Sequence, residues 1–211
     1  IMATYFLSMV RLVHAGNLDT AEIPVNRGER VLVIGAGNVA IDAARTALRI
    51  GAGQVSVVYR RGMEAMTALK SEFEQSVAEG VGFEWLSAPV AFTGEDRVDG
   101  LLCEVMVADE TGEIKPTGET KRLAADKVII AVGQRPAARI VSTTSGIDVD
   151  RNGYVITKER PYGMTTRRGV FAGGDVVHQP ATVVLAMKEA KKVAAGIAAY
   201  VEAKKLMEEC G

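Results

Sequence analysis

The stretch from Val31 to Arg61 constrains the fold more than any other part of the chain. It reads VLVIGAGNVAIDAARTALRIGAGQVSVVYRR. An apolar strand leads into a glycine-rich turn, a helical pattern runs to about Ile50, and a second strand runs from Gln54 to Tyr59. A G-x-G-x-x-G-like turn in this βαβ setting is typical of dinucleotide-binding domains. The sequence therefore predicts an α/β fold with a Rossmann-like parallel sheet covered by helices.

Five residues of the turn form the predicted pyrophosphate site. Gly35 permits the tight turn, Gly37 lets the backbone come close to the phosphates, and Ala40 is small enough for the helix to pack against the sheet. The helix begins at about Asn38 and Val39, where unpaired N–H groups and a partial positive charge favour an anion. We therefore expect these residues to bind the pyrophosphate of a dinucleotide.

The end of the second strand indicates which dinucleotide is bound. An NAD site usually places Asp or Glu there for the ribose 2′-hydroxyl, but this chain has Tyr59-Arg60-Arg61. Guanidinium groups bind phosphate in bidentate geometry. We therefore predict an NADP (NADPH) site in which Arg60 and Arg61 bind the 2′-phosphate and Tyr59 lies beside it. The alternative is two solvated arginines at the end of a strand.

Charge, hydropathy and cysteine content exclude several classes of function. The net charge of the 211-residue chain is -1, which argues against a nucleic-acid partner. No apolar run reaches the roughly 18 residues of a membrane span. Cys103 and Cys210 are far apart and belong to no C-x-x-C motif, so we predict a cytoplasmic protein without a redox dithiol or a metal site of its own. Cys103 is expected to be a small buried residue.

The domain boundaries follow from the periodicity. Residues 1–29 are predicted to be a lead helix and linker, in which Tyr5, Met9 and Val13 share one helix face. The NAD(P)-binding Rossmann domain is predicted at 30–134.

The later part of that domain changes character. A helix is predicted from about Thr67 to Glu79, with Leu69, Phe73 and Val77 facing inward. A strand is predicted from Phe83 to Leu86. From Pro89 to Ala124, short strands separated by turns indicate an antiparallel meander. The apolar run from Lys127 to Val132 is expected to return to the buried parallel sheet.

Residues 135–211 have a different pattern. The sequence predicts a loop from Arg160 to Arg168, a short buried strand at Val170-Phe171-Ala172 and a long helix from about Ala181 to Lys205. One apolar face is expected along this helix. Its predicted members are Val183, Met187, Ala190, Ala194, Ile197 and Val201.

Four segments together resemble one family, the two-dinucleotide-binding-domain flavoproteins, and most of all the glutamate synthase small subunit and its relatives. These segments are Val33–Asp42, Tyr59–Arg61, Ile129–Gly133 and Val170–Val176. The resemblance extends from about Gly16 onward. It implies a fold in which an NADPH domain is inserted into an FAD domain.

The resemblance also implies roles for residues outside the glycine turn. Ala131 and Gly133 would belong to the nucleotide site, while Gly174 and Asp175 would hold FAD, with Asp175 bonding the ribityl chain. The N–H groups near Thr182 and Val183 would face the flavin carbonyl.

The closing segments of an FAD domain are present and the opening βαβ unit is not, so 135–211 is expected to be the C-terminal part of an incomplete FAD-binding domain. The start at Ile1-Met2, in mid-pattern, suggests an excised piece of a longer protein. Two local departures from the family occur at Met66-Thr67, where Met-Pro is common, and at Gln179-Pro180, where Gly-Pro is common.

By resemblance, NADPH would reduce FAD and electrons would pass to a partner, commonly through iron–sulfur clusters on other segments or subunits. No catalytic acid or base is predicted, since the cofactors carry the chemistry. The rival hypothesis is a nucleotide-binding or redox-sensing module with no catalysis of its own. A simple two-domain dehydrogenase would leave the Gly-Asp segment without a role, and the cysteines exclude a disulfide reductase.

Overall fold

A computed structural model shows two compact units, Ile1–Gly133 (unit 1) and Gln134–Gly211 (unit 2). The structure describes residues 1–110, 112–133, 141, 143–178 and 182–209.

Unit 1 contains three α-helices and seven strands among the residues that the structure describes. In chain order these are α1 (Ala3–His14), β1 (Arg30–Ile34), α2 (Asn38–Arg49), β2 (Gln54–Val58), α3 (Lys70–Ala78), β3 (Gly82–Glu84), β4 (Ser87–Thr93), β5 (Gly100–Ala108), β6 (Ile114–Ala124) and β7 (Lys127–Ile130).

The core of unit 1 is a four-stranded parallel sheet. Its strands lie in the order β3-β2-β1-β7, and Val33 at the centre pairs with Val57 on one side and Ile129 on the other. All three side chains are fully buried, as expected for parallel strands covered on both faces. The predicted α/β class with a parallel sheet is therefore confirmed. The last strand ends at Ile130, and Val132, which was predicted to continue it, is 68% exposed.

The predicted antiparallel meander is also confirmed. Strands β4, β5 and β6 form a separate three-stranded sheet. In the chain, this sheet is inserted between β3 and β7 of the parallel sheet. Leu101 and Cys103 of β5 pack with Leu32 and Val58 of the parallel sheet. Cys103 is fully buried, as predicted, and burial raises the pKa of its thiol.

Helix α1 packs through a different face from the predicted one. Ala3, Phe6 and Val10 are buried, whereas Tyr5 is 53% exposed. The helix contacts α2 and β7, and Met2 forms a bridge to Ile130 at the sheet edge. This attachment fixes the rotation of α1 and directs the Phe6 ring into the core.

Helix α3 begins three residues later than predicted. Leu69 precedes it and is 58% exposed, and Val77 is 49% exposed. The inward position is taken by Ser76, whose hydroxyl donates to the Phe73 carbonyl at 2.7 Å. The predicted face therefore holds only at Phe73, whose ring lies 4.9 Å from that of Phe83.

An ion pair closes the start of β1. Asp126 accepts hydrogen bonds from the Arg30 backbone N–H at 2.8 Å and from its guanidinium at 3.0 and 2.7 Å. These bonds lower the pKa of Asp126 to about 2. A lowered carboxyl pKa stabilises the fold above the unfolded-state value, and this contribution is lost as the pH falls through about 2.

We expect Asp126→Asn to lower the Tm at pH 7, and the difference from wild type to shrink as the pH falls from about 4 towards about 2. Thermal unfolding across this pH range measures it. Asp96→Asn is the control, because Asp96 is exposed and makes no ion pair within the described residues. A difference that stays constant with pH would contradict the assignment of the effect to the Asp126 carboxylate.

Unit 2 contains a two-stranded antiparallel sheet and a long helix within its described part. These elements are β8 (Thr157–Glu159), β9 (Tyr162–Thr165) and α4 (Val183–Glu209). The predicted loop from Arg160 to Arg168 is therefore wrong, because Tyr162 turns back to pair with Glu159. The strand predicted at 170–172 reduces to a single bridge between Phe171 and Met164.

The predicted apolar face of α4 is also wrong. Val193 and Gly196 are its buried residues. A Cβ on Gly196 would lie 2.1 Å from the Tyr162 carbonyl oxygen, so the absence of a side chain there lets the helix reach the hairpin backbone. Val193 occupies the space beside Gly163 and Gly173. All six members of the predicted face are exposed, namely Val183, Met187, Ala190, Ala194, Ile197 and Val201. No helix in the described part of the chain is long and apolar enough to cross a bilayer.

Candidate dinucleotide site

The glycine turn lies where β1 ends, at the carboxyl edge of the parallel sheet. Gly35 has φ +125, and a Cβ on it would lie 2.4 Å from the Ala131 carbonyl oxygen. Its N–H donates to Val58 at 3.0 Å, and the Ala131 N–H donates to Ile34 at 2.8 Å. Glycine is thus required twice at this position, for a conformation that other residues rarely adopt and for the close approach of the chain after β7.

Gly37 is the N-cap of α2, with φ -95 and ψ 176 and no side-chain cap. Its carbonyl oxygen accepts from the N–H groups of Ala40 at 2.9 Å and Ile41 at 3.2 Å. In the described part of the chain, the N–H groups of Asn38 and Val39 have no acceptor. Ala40 is fully buried and Val39 is 42% exposed. Two N–H donors at the positive end of the helix therefore face outward.

The segment from Gly62 to Leu69, called here the 62–69 loop, folds back onto the glycine turn. The Ala36 carbonyl oxygen accepts from the N–H groups of Thr67 and Ala68, both at 3.1 Å. The Asn38 side-chain oxygen accepts from the Leu69 N–H at 3.0 Å. Asn38 was predicted to bind the cofactor. Its side-chain oxygen is used inside the fold, so its backbone N–H, which has no acceptor among the described residues, is the group left for an anion.

Tyr59 holds the middle of the same loop. Its hydroxyl donates to the Ala65 carbonyl oxygen at 3.0 Å. Its ring belongs to a group of four aromatic side chains in which Trp85 stacks on Phe83 at 5.0 Å and meets Tyr59 edge-on at 6.2 Å. The fourth member is Phe73, next to Phe83. The aromatic group supports the loop, a role that the β2 sequence alone did not indicate.

Arg60 and Arg61 are exposed and line a groove of about 540 Å³. Neither guanidinium forms an ion pair or hydrogen bond with any residue that the structure describes. The remaining lining comes from the 62–69 loop and the β5–β6 hairpin, namely Glu64, Ala65, Met106, Gly112, Glu113 and Ile114.

The backbone beneath the arginines is held in place. The Leu86 N–H donates to the Arg61 carbonyl oxygen at 3.1 Å, and the Leu86 carbonyl oxygen accepts from the Met106 N–H at 2.8 Å. Leu86 has φ 52, an uncommon conformation for a large residue. Two unpaired cations on a fixed backbone, near the end of β2, form a site suited to a phosphate.

Two nucleotide residues predicted from the resemblance, Ala131 and Gly133, follow β7. Ala131 is in contact range of Gly35, as described above. Gly133 has φ +100, and a Cβ on it would meet nothing within 4 Å, so glycine is favoured there by conformation and not by space.

In unit 2, the predicted flavin residues follow Phe171. Gly174 begins a three-residue 3₁₀ turn that includes Asp175, whose side chain is exposed. Thr182 precedes α4, and its hydroxyl accepts from the Leu185 N–H at 3.3 Å, while Val183 is 77% exposed. The departure at Gln179-Pro180 lies outside the described residues.

A group of polar side chains that the sequence did not reveal connects these segments. Glu189 on α4 accepts from the Tyr162 hydroxyl and lies 3.2 Å from His178 Nε2 and 3.7 Å from Lys192 Nζ. The hydrogen bond from Tyr162 lowers the pKa of Glu189, and the same bond raises the pKa of Tyr162. Glu189 thereby fastens the start of α4 to β9 and to the chain just after the Gly-Asp turn.

A parallel sheet with a glycine turn, an uncapped helix N-terminus and unpaired arginines defines a dinucleotide-binding α/β domain. The chain belongs to the pyridine nucleotide-disulphide oxidoreductase family, whose model matches residues 5–190.

Known proteins are similar to this chain over most of its length. The chain is 36% identical over 192 residues to the "Glutamate synthase [NADPH] small chain" of Halomonas elongata. The aligned region covers 87% of this chain and 41% of that protein. The chain is 37% identical over 184 residues to the protein of that name from Azospirillum brasilense, with 84% and 38% covered. The chain thus spans about two fifths of these relatives. A thioredoxin reductase structure from Lactococcus lactis is similar, with TM-score 0.61, 27% identity, and 87% and 55% of the two chains covered.

Proposed function

We propose that this chain is the NADPH-binding portion of an FAD-dependent oxidoreductase of the glutamate synthase small-subunit kind, in which hydride passes from NADPH to flavin and electrons continue to a partner. Family membership and the similarity to two NADPH-named glutamate synthase small chains support this proposal. Within this reading, residues 30–134 are the NADPH domain and 135–211 are the closing part of an FAD domain.

One observation carries the cofactor assignment. Arg60 and Arg61 follow β2 as exposed cations without partners among the described residues, and no carboxylate occupies the end of that strand. At the strand end itself, a ribose 2′-hydroxyl would find no carboxylate, whereas a 2′-phosphate would find two guanidinium forks. Glu64 and Glu113 enter the groove from the 62–69 loop and the β5–β6 hairpin. The N–H groups of Asn38 and Val39 would receive the pyrophosphate.

In the proposed reaction, the residues of this chain bind and orient the nucleotide. NADPH, when bound, supplies the hydride. Gly35 and Gly37 leave room for the phosphates, and the chain at Ala131 and Gly133 lines the same edge of the sheet. The family name includes disulphide chemistry, but this chain has two cysteines in no C-x-x-C motif, so a dithiol step is not part of the proposal.

For FAD, we propose that Gly174, Asp175 and the backbone near Thr182 and Val183 contribute part of a site. The exposed Asp175 carboxylate suits the hydroxyls of a ribityl chain. The remaining FAD contacts, and the iron–sulfur groups that would accept electrons, would come from segments or subunits outside this chain. We place the protein in the cytoplasm because its two cysteines form no disulfide pattern.

The test is calorimetric titration of the chain with NADPH and with NADH. We expect Arg60→Ala/Arg61→Ala to weaken NADPH binding by several kcal/mol at most, about 1.5–3 kcal/mol for each charge-assisted contact, and to change NADH binding little. Arg11→Ala/Arg97→Ala is the matched control, since it removes two exposed arginines from other elements of unit 1.

Equal loss of NADPH and NADH affinity in the Arg60/Arg61 variant would mean that the arginines are structural, and the NADP assignment would be wrong. The visible spectrum of the purified chain, recorded before titration, tests the rival hypothesis. A yellow protein would indicate bound flavin. A colourless protein that binds neither nucleotide would favour a module without catalysis.

A further inference from the structure

We propose that the Thr67 hydroxyl is a pyrophosphate ligand of the dinucleotide site. This inference rests on the proposed function and adds a residue that belongs neither to the glycine turn nor to the arginine pair. The 62–69 loop connects the arginine pair to α3 and is hydrogen-bonded to the glycine turn.

The loop is held at its middle and at its C-terminal end. Tyr59 binds Ala65, Ala36 accepts from Thr67 and Ala68, and Asn38 accepts from Leu69. The Thr67 backbone is therefore fixed against the residue that precedes Gly37.

The Thr67 hydroxyl lies on the side of Gly37 where a Cβ would project. A Cβ built on Gly37 would lie 3.4 Å from Thr67 Oγ1, and no other atom lies within 4 Å of that point. Thr67 is exposed, and its hydroxyl makes no hydrogen bond with a described residue. An oxygen that approaches the Gly37 backbone from this side therefore meets a free O–H donor.

Three donors without a described acceptor therefore lie at the start of α2. The N–H groups of Asn38 and Val39 lie at the start of α2, and the Thr67 hydroxyl lies beside the Cα of the preceding residue. Phosphate oxygens accept hydrogen bonds from backbone N–H groups and from hydroxyls alike. The arginine pair follows β2 and would contact the ribose 2′-phosphate. The two sets of ligands therefore bind different parts of the nucleotide.

This division gives a test that separates the inference from the proposed function. The pyrophosphate is common to NADPH and NADH, whereas the 2′-phosphate belongs to NADPH alone. We expect Thr67→Val, which keeps the shape and the backbone bond to Ala36, to raise the Kd for both nucleotides about tenfold. Thr67→Ser, which keeps the hydroxyl, should bind both within about twofold of wild type. Calorimetry measures all three proteins.

The unfolding midpoint is measured on the same samples and should be unchanged, because Thr67 is exposed. Wild-type affinity for both nucleotides in Thr67→Val would overturn the inference and leave the proposed function standing. A loss for NADPH alone would move Thr67 to the 2′-phosphate and also overturn it. A wild-type chain that binds neither nucleotide would overturn the inference and the proposed function together.

Discussion

Alanine at position 37 is expected to raise the Kd for NADPH and for NADH by about 30-fold to 100-fold, because a methyl group inserted into a close contact costs roughly 2–3 kcal/mol and each 1.4 kcal/mol is tenfold. The methyl group would stand where the pyrophosphate is proposed to contact the backbone. Titration of the variant with both nucleotides measures the effect.

The fold should tolerate this change. Gly37 has φ -95 and ψ 176, which alanine adopts freely, and the new Cβ would meet only Thr67 Oγ1, at an ordinary contact distance of 3.4 Å. The loss of glycine at an N-cap and the reduced freedom of the unfolded chain oppose each other, so the free energy of unfolding should stay within about 1 kcal/mol of wild type. Retained nucleotide affinity in a folded variant would show that the pyrophosphate does not lie at this turn.

Alanine at position 35 is expected to lower the stability of the fold, whereas alanine at position 37 is expected to lower the affinity for nucleotide. The residue would have to keep φ +125 with its Cβ 2.4 Å from the Ala131 carbonyl oxygen. The strained conformation and the overlap together should lower the free energy of unfolding by about 3 kcal/mol or more. Urea denaturation, followed by circular dichroism, measures the loss.

Gly80→Ala is the matched control for this prediction. Gly80 has φ +99, and a Cβ there would meet nothing within 4 Å. It therefore reports the cost of the conformation alone, about 1 kcal/mol or somewhat more. If both variants lose the same free energy of unfolding, the contact with Ala131 relaxes without cost, and the second reason for glycine at position 35 is wrong.

The parallel sheet was predictable because its signal is local and continuous. The strands β1, β2 and β7 are short apolar runs, and each is buried on both faces. Their prediction therefore required neither an alternating apolar pattern nor the identity of the neighbouring strand. The glycine turn and the arginine pair were predictable for a related reason, since their distance from the strand ends is set by the βαβ unit itself.

Helix faces were predicted less well, because neighbours that are distant in sequence decide which side of a helix is buried. On α4, alanines and valines are distributed around the helix, and the contact is set by Gly196 and by the backbone of Tyr162, which no apolar periodicity indicates. On α1, the attachment of Met2 to β7 decides which side faces the sheet. Both outcomes depend on neighbours that are distant in sequence.

Side-chain contacts within the candidate site could not be predicted for the same reason. The loop that brings Thr67 over Gly37 has no regular periodicity, and the bond between Asn38 and Leu69 joins residues 31 positions apart. Glu189 meets Tyr162 across 27 positions, without a motif at either end. Contacts of this kind are decided when the elements pack together.

The aromatic group beneath the 62–69 loop gives unit 1 an optical probe of its own. Trp85 is the only tryptophan of the chain, and it lies against Phe83 and near Tyr59, the residue that leads into the arginine pair. Its fluorescence therefore originates beside the candidate site and nowhere in unit 2. Since reduced nicotinamide absorbs in the wavelength range where tryptophan emits, energy transfer from Trp85 would follow nucleotide binding in the unlabelled protein.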